Sequence, residues 1–278
     1  MAVVRAAERY LAERSVDAPR LSAELLTAHV LDVSRLELYM LHDRPMSEAE
    51  RVRLRPLVGE RGRGVPVAYL LEEWDFCGLT FHVTPAVLVP RPETEELVEL
   101  AAERCPQGGR CADLGTGSGA IAIALALRRP DVAMTATERS PEAAALARRN
   151  AERHGVAERV HVLEGSWWEP LTGPPFDVVL CNPPYIDPSR DDLVEPEVRA
   201  FEPAEALFAA PGDPASAYRE VLADAPSRLA PQAWLIFETG VEAATPAEEL
   251  LRQAPFLDDV ELRPDLAGQP RYLLARAR

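Results

Sequence analysis

The chain has 278 residues, 47% of them apolar, and a formal net charge of −15 at pH 7. That suits one large α/β domain with a smaller companion and a real core, without an apolar run of membrane-spanning length. All 30 basic residues are Arg; residues 1–64 are close to neutral and the acidic excess falls on the rest, which disfavours free DNA or RNA as a direct substrate and suits a basic protein partner.

In chain order, the start Met1-Ala2-Val3-Val4-Arg5-Ala6-Ala7-Glu8-Arg9 becomes charged too early for a secretory signal, so a soluble cytoplasmic protein is expected. Residues 1–64 read as a bundle of about four short helices. Leu21, Leu25 and Ala28 share a face with Leu31 near it, and Ser47-Glu48-Ala49-Glu50 opens a helix as a capping box that Arg61-Gly62-Arg63-Gly64 breaks. Phe76, Leu79, Phe81 and Val83 around Gly78 predict a hairpin. Val87-Leu88-Val89-Pro90-Arg91-Pro92-Glu93-Thr94-Glu95 then reads as a linker and substrate-facing loop before a helix over 95–103.

From residue 110 strand and helix patterns alternate. Strands are predicted at 110–113, 132–137, 159–163, 176–181 and 233–238, with helices at 119–128 and 141–154. The second helix starts at Ser140-Pro141-Glu142, which combines an N-cap, a first-turn Pro and an acid at the positive dipole end. Two last strands, near 258–263 and 271–276, have no helix between them and can pair antiparallel. The pattern predicts a doubly wound sheet with helices on both faces, and residues 186–217, rich in Pro and Asp, as an excursion over the active site.

Two loops carry chemistry. Asp113-Leu114-Gly115-Thr116-Gly117-Ser118-Gly119 follows a strand and opens an apolar helix, with glycines that permit close backbone approach. The spacing is G-x-G-x-G behind an acid. Asp113 fits poorly beside a pyrophosphate and well beside an ammonium, as in S-adenosylmethionine. Glu138 ends the next strand, where a carboxylate can accept from two ribose hydroxyls. Trp167 follows the third strand and can pack on an adenine, with Trp168 competing for that place. Asn182-Pro183-Pro184-Tyr185 follows the buried-type run Phe176-Asp177-Val178-Val179-Leu180-Cys181. Its prolines stiffen the turn, so the Asn side chain and nearby carbonyls are held to accept from an NH2 group, and Tyr185 offers a flat face. Modification of an amide or amino nitrogen is the chemistry suggested.

The four cysteines, Cys77, Cys105, Cys111 and Cys181, form no C-x-x-C pair and are expected to be buried reduced thiols. His29, His42, His82, His154 and His161 are scattered and are given no metal or catalytic role.

Together these segments resemble the PrmC/HemK family of peptide chain release factor glutamine methyltransferases. The matching pieces include the Asp113–Gly119 loop, Asn182-Pro183-Pro184-Tyr185-Ile186, the Pro90-Arg91-Pro92-Glu93-Thr94-Glu95 segment, Phe201-Glu202-Pro203, Phe237-Glu238-Thr239-Gly240 and Asp265-Leu266-Ala267-Gly268. The resemblance implies an α/β fold, a Rossmann-like seven-stranded S-adenosylmethionine-dependent methyltransferase domain over 93–278. It also implies a small N-terminal helical bundle over 1–64 for partner recognition, and a hairpin linker with the substrate-facing loop over 65–92. It implies methylation of the side-chain amide of the Gln in the Gly-Gly-Gln motif of release factors. A monomer is expected, and the charge and the absence of a long apolar run predict no direct nucleic acid and no membrane among its partners. Asp113, Gly115, Thr116, Gly117, Ser118, Gly119, Glu138, Trp167 and Asn182 would hold S-adenosylmethionine. Asn182, Pro183, Pro184 and Tyr185 would hold the glutamine, with Asn182, Pro183 and Tyr185 acting in the transfer. Arg91 and Glu93 would order the loop beside the glutamine or pair with each other.

The chain departs from the family pattern at Glu138, where Asp is usual; at Ser166, often Asp; at Ala209-Ala210-Pro211-Gly212, often a Gly-Gly pair; and at Glu72, where Gly is common. The alternatives are a glutamine methyltransferase of a ribosomal protein, a nucleobase amino-methyltransferase, and a release-factor-binding module that has lost catalysis.

Overall fold

A computed structural model describes residues 2–41 and 43–278; His42 lies outside the described residues. The chain divides into two units: residues 1–73 with Glu195–Phe201, and Trp74–Val194 with Glu202–Arg278.

The first unit is helical: α1 (Ala2–Ala12), α2 (Pro19–Leu31), α3 (Arg35–Met40), α4 (Glu48–Arg61) and α5 (Val67–Leu71). The capping box at Ser47 forms with Glu50, and a second forms between Ser34 and Glu37. Helix α2 packs against all the other four, so its burial is not confined to a stripe: Ala23, Leu26, Ala28 and Val30 are buried together with Ser22, Glu24 and Thr27, while Leu21 and Leu25 stay partly exposed. Buried Glu24 is compensated by Arg20 at 2.9 Å, Arg35 at 3.4 Å and the Tyr39 hydroxyl at 2.6 Å. Arg61, only 3% exposed, is held by Glu197 at 2.6 Å, the Ser22 hydroxyl and the carbonyls of Asp17 and Val65. Glu197 lies on α9 (Pro196–Phe201), the piece of chain that returns to this unit. Glu72 closes α5 with φ +58°, a left-handed conformation that explains why Gly is common there.

The second unit opens with the predicted hairpin, β1 (Glu73–Phe76) and β2 (Leu79–His82), whose Cys77-Gly78 corner has φ +51° and +71° as a type I′ turn requires. Helix α6 (Glu95–Arg104) leads into β3 (Arg110–Leu114), α7 (Ala120–Arg128), β4 (Ala133–Glu138), α8 (Pro141–Arg153), β5 (Val160–Glu164) and β6 (Phe176–Cys181). After α9 come α10 (Ala204–Leu207), α11 (Ser216–Asp224), β7 (Leu229–Glu238), α12 (Val241–Gln253), β8 (Leu257–Pro264) and β9 (Pro270–Ala277). Strands β3 to β9 form one seven-stranded sheet in the order β5-β4-β3-β6-β7-β9-β8, parallel except for β9, which inserts antiparallel between β7 and β8.

Side-chain alternation divides the core between the two faces. Cys111, Val178, Leu180 and Ile236 join the layer under α6, α7 and α8, and Ala112, Val179, Cys181 and Leu235 join the layer under α11 and α12. Helix α7 is buried continuously from Ala120 to Ala126, as its uninterrupted apolar sequence requires.

Candidate functional site

The strand order fixes where a ligand can enter. From β3 the chain builds outward through β4 and β5, then returns to place β6 on the other side of β3. The connections that follow β3 and β6 therefore run to opposite faces of the sheet, to α7 on one and eventually to α11 on the other, opening a crevice there. The glycine loop leaves β3 and Asn182 leaves β6 at that point, and Glu138 ends β4 beside them. A cleft lies there, lined by the 115–118 loop, Glu138 and Asn182.

The glycine loop is tied down by the amides of Gly115 and Thr116, which both donate to the Thr137 carbonyl at 2.9 Å. A Cβ on Gly115 would stand 3.2 Å from the Trp167 ring. Gly119, at φ +82°, serves packing: a Cβ there would lie 3.0 Å from Ile123 Cδ1 and 3.2 Å from Ala147 Cβ, between α7 and α8. Thr116 and Ser118 are almost fully buried and line the cleft with Gly115 and Gly117.

Two carboxylates belong to this loop. Asp113 is fully buried and accepts from the Thr116 hydroxyl at 2.5 Å through Oδ2; among the described residues Oδ1 makes no well-formed hydrogen bond, the Ala122 backbone N–H giving the carboxylate only a weak further contact. Burial pushes its pKa up to about 7. It sits beneath the loop and does not itself line the cleft. Glu138 does line it, and its extra methylene lets the carboxylate fold back: Oε2 accepts from Gly117 N–H and Oε1 from Ser140 N–H, each at 2.9 Å. Each oxygen keeps a further lone pair for a hydroxyl. An orphaned acceptor under the loop and a carboxylate at the end of β4 fit an ammonium-bearing nucleoside such as S-adenosylmethionine.

The adjacent tryptophans separate cleanly. Trp168 is 2% exposed, with its indole N–H on the Val221 carbonyl at 2.8 Å, and is core. Trp167 lines the cleft beside Ser166, with its indole N–H on Glu220 at 2.8 Å and its backbone at φ +44°.

Asn182 and Pro184 form part of the same wall. Pro183 and Tyr185 are adjacent in the turn but outside that lining; the Tyr185 ring lies against Gly240, where a Cβ would come within 2.8 Å of two ring carbons. Burial raises the Tyr185 pKa well above the ordinary phenol value. Arg91 lines the cleft and pairs with Glu202 at 2.6 Å instead of with Glu93. The buried Glu202 also accepts from Val89 N–H at 3.0 Å, so Glu202 orders the 88–91 loop while Pro203 contributes wall. Glu93 is exposed, and its backbone carbonyl accepts from the Tyr272 hydroxyl at 2.7 Å.

Sequence reasoning assigned no role to Thr94 or Glu238, although both lie in segments that carry the resemblance. Thr94, 4% exposed, lines the cleft; it donates to Glu238 Oε2 at 2.6 Å and receives Asn182 Nδ2 at 3.4 Å. Burial lifts the Glu238 pKa to about 7. Arg139, Glu205 and the apolar Phe76, Val87 and Ile121 were likewise missed as cleft lining. Among the described residues, no group of three or more His, Cys, Asp or Glu side chains is placed to hold a metal, and no helix is long and apolar enough to cross a membrane.

Comparison with known proteins is consistent along the chain. Residues 2–71 match the PrmC N-terminal domain, and residues 93–206 match the methyltransferase small domain. The release factor glutamine methyltransferase of Geobacter sulfurreducens is 42% identical over 249 residues, covering 90% of this chain and 87% of its own. That of Chlorobaculum tepidum is 40% identical over 97% of this chain and 94% of its own, and that of Salmonella typhimurium 39% identical over 95% and 94%. Among solved structures, the catalytic domain of hMettl16 superimposes with a TM-score of 0.58 at 17% identity, covering 83% of this chain and 81% of that one, a likeness of fold. A methyltransferase from Pyrococcus furiosus superimposes with a TM-score of 0.52 at 20% identity, covering 72% and 89%.

Proposed function

We infer the reaction from one premise: this chain belongs to the release factor glutamine methyltransferase family. It transfers a methyl group from S-adenosylmethionine to the side-chain amide nitrogen of the Gln in the Gly-Gly-Gln motif of peptide chain release factors. The observation that carries this reading is the shared cleft, lined by the glycine loop and Glu138 together with Asn182 and Pro184. When bound, S-adenosylmethionine supplies an electrophilic sulfonium methyl group.

The chain's own residues do the rest. Gly115, Thr116, Gly117 and Ser118 would hold the cofactor along the loop, Glu138 would accept from its ribose hydroxyls, and Trp167 would offer its ring to the adenine. Gly119 contributes by letting α7 close on α8. The buried Asp113 carboxylate beneath the loop would favour a positively charged cofactor there. A carboxamide nitrogen is a weak nucleophile because its lone pair is delocalised. Asn182 Oδ1 and the Pro183 carbonyl accept its two hydrogens and orient it for in-line displacement. The same two acceptors stabilise positive charge as it develops on nitrogen. The proton leaves to water. Tyr185, backed by Gly240, supports the turn and offers its ring to the amide plane. Arg91, clamped by Glu202, shapes the loop beside the glutamine. The protein acts as a cytoplasmic monomer on a folded protein, without direct nucleic-acid contact, and the helical unit serves recognition of that partner.

The test is transfer of labelled methyl to purified release factor, to the same factor with the motif Gln changed to Ala, to ribosomal protein and to bulk RNA. Label confined to the Gln-bearing factor is expected. Label on RNA or ribosomal protein, with none on the release factor, overturns the reading.

A further inference from the structure

We propose that Thr94 and Glu238 are positioning residues that set the orientation of the Asn182 carboxamide, so that its oxygen and not its NH2 group faces the substrate. This rests on the reading of Asn182 as an acceptor for the substrate amide.

The argument is one of proton counting. An Asn side chain is nearly symmetric in shape but has opposite ends, a carbonyl that accepts and an NH2 that donates. If it turned over, the NH2 would meet the NH2 of the substrate and the site would repel what it must hold. The Pro-Pro turn fixes where the side chain sits but not which way the amide lies. The neighbouring hydroxyl decides that. Thr94 has one proton, and it is directed at Glu238 Oε2 at 2.6 Å, an acceptor-only partner when ionised. The Thr94 oxygen then has only lone pairs to offer, and the group it faces is Asn182 Nδ2 at 3.4 Å. The Nδ2 end is therefore engaged, and Oδ1 is left as the polar end of Asn182 free for the cleft.

The three residues come from the start of α6, the end of β6 and the end of β7. Thr94 and Glu238 are both almost fully buried, so water competes weakly for their bonds. Tyr218 donates to the Glu238 backbone carbonyl at 2.9 Å and Tyr272 to the Glu93 carbonyl at 2.7 Å, which holds the strand end and the loop in register.

The test compares Thr94→Val, Thr94→Ser and Glu238→Leu, each in the wild-type and in the Asn182→Asp background, with turnover, KM for release factor and cofactor affinity measured throughout. A carboxylate has two acceptor ends and no wrong orientation, so the relay should matter only when an amide is present. Thr94→Val should lower kcat at least tenfold with cofactor affinity and KM changed less than threefold, and Thr94→Ser should stay within threefold of wild type. In the Asn182→Asp background, Thr94→Val should change kcat less than threefold. Equal losses in both backgrounds, unchanged turnover in Thr94→Val, or inactivity of every Asn182→Asp enzyme overturns the proposal. Glu238→Leu, which removes the acceptor of the Thr94 proton, gives the same comparison without touching Thr94, should Thr94→Val not fold. A readout independent of turnover separates this idea from the assigned reaction: in 15N-labelled protein the Asn182 NH2 protons should be protected from solvent exchange in the wild type and lose that protection in Thr94→Val. If the wild type fails to methylate release factor, the assigned reaction falls and the exchange measurement still decides the relay.

Discussion

Single residues set the sharpest expectations. Asp113 and Glu238 ordinarily ionise near 3.8 and 4.5, and burial lifts both to about 7. Between those values the folded protein binds protons that the unfolded chain has released, so stability falls as pH rises across that window. The melting temperature of the ligand-free protein should therefore drop between about pH 5 and about pH 7. Cofactor binding should behave oppositely. A cation over Asp113 favours its ionised form, so affinity measured by calorimetry should tighten as pH rises toward about 7 and flatten above it, and Asp113→Asn should bind more weakly with that dependence reduced. At Glu72, replacement by Gly relieves a left-handed φ of +58°. Offset by the extra freedom of Gly when unfolded, the gain should be about 0.5–1 kcal/mol, read from denaturant midpoints. Asn182 was legible in the sequence because a Pro-Pro turn after an apolar run is a local signal. Its partners were not, because Thr94 is 88 residues away from Asn182 and 144 from Glu238, and nothing local joins them.

At the scale of elements, strand and helix alternation from residue 110 onward appears in the structure because each period is written in the segment itself. Ser140-Pro141-Glu142 starts α8, with Ser140 accepting from Ala143 N–H at 3.3 Å, and the two last strands pair antiparallel. What the pattern could not give was the insertion of β9 between β7 and β8, since pairing partners are chosen by tertiary packing. Nor could it decide between Trp167 and Trp168, whose side-chain directions depend on the left-handed backbone at Trp167. The contrast is testable. Trp168→Ala removes a buried ring and its bond to Val221, and should cost about 3–5 kcal/mol of unfolding free energy. Trp167→Ala should leave stability within about 1 kcal/mol and weaken cofactor binding instead. The Arg91–Glu93 pairing was a reasonable alternative from adjacency, but the 88–91 loop needs an anchor for Val89 N–H as well as for Arg91, and buried Glu202 serves both.

For the molecule as a whole, the expected fold class is the observed one, and the crevice lies where the order of strands reverses. The helical unit is less simple than a contiguous N-terminal segment, because Glu195–Phe201 belongs to it. Its buried Arg61 takes its carboxylate from that distant piece. Glu197→Ala should therefore destabilise the helical unit by about 3–5 kcal/mol, the usual consequence of leaving a buried charge unpaired. Amide exchange along α2 and α4 is the measurement that would register it. A saturating cofactor should slow exchange in the 113–120 loop and at the end of β4 and leave α1 to α4 unchanged, because the cleft is built within the second unit.

The return of α9 also limits recombination. A chimera that takes residues 1–73 from one relative and everything after from another inherits a lock from one parent and a key from the other. A graft of the helical unit keeps its buried guanidinium neutralised only when two stretches of sequence, a long one and a seven-residue one, are exchanged together.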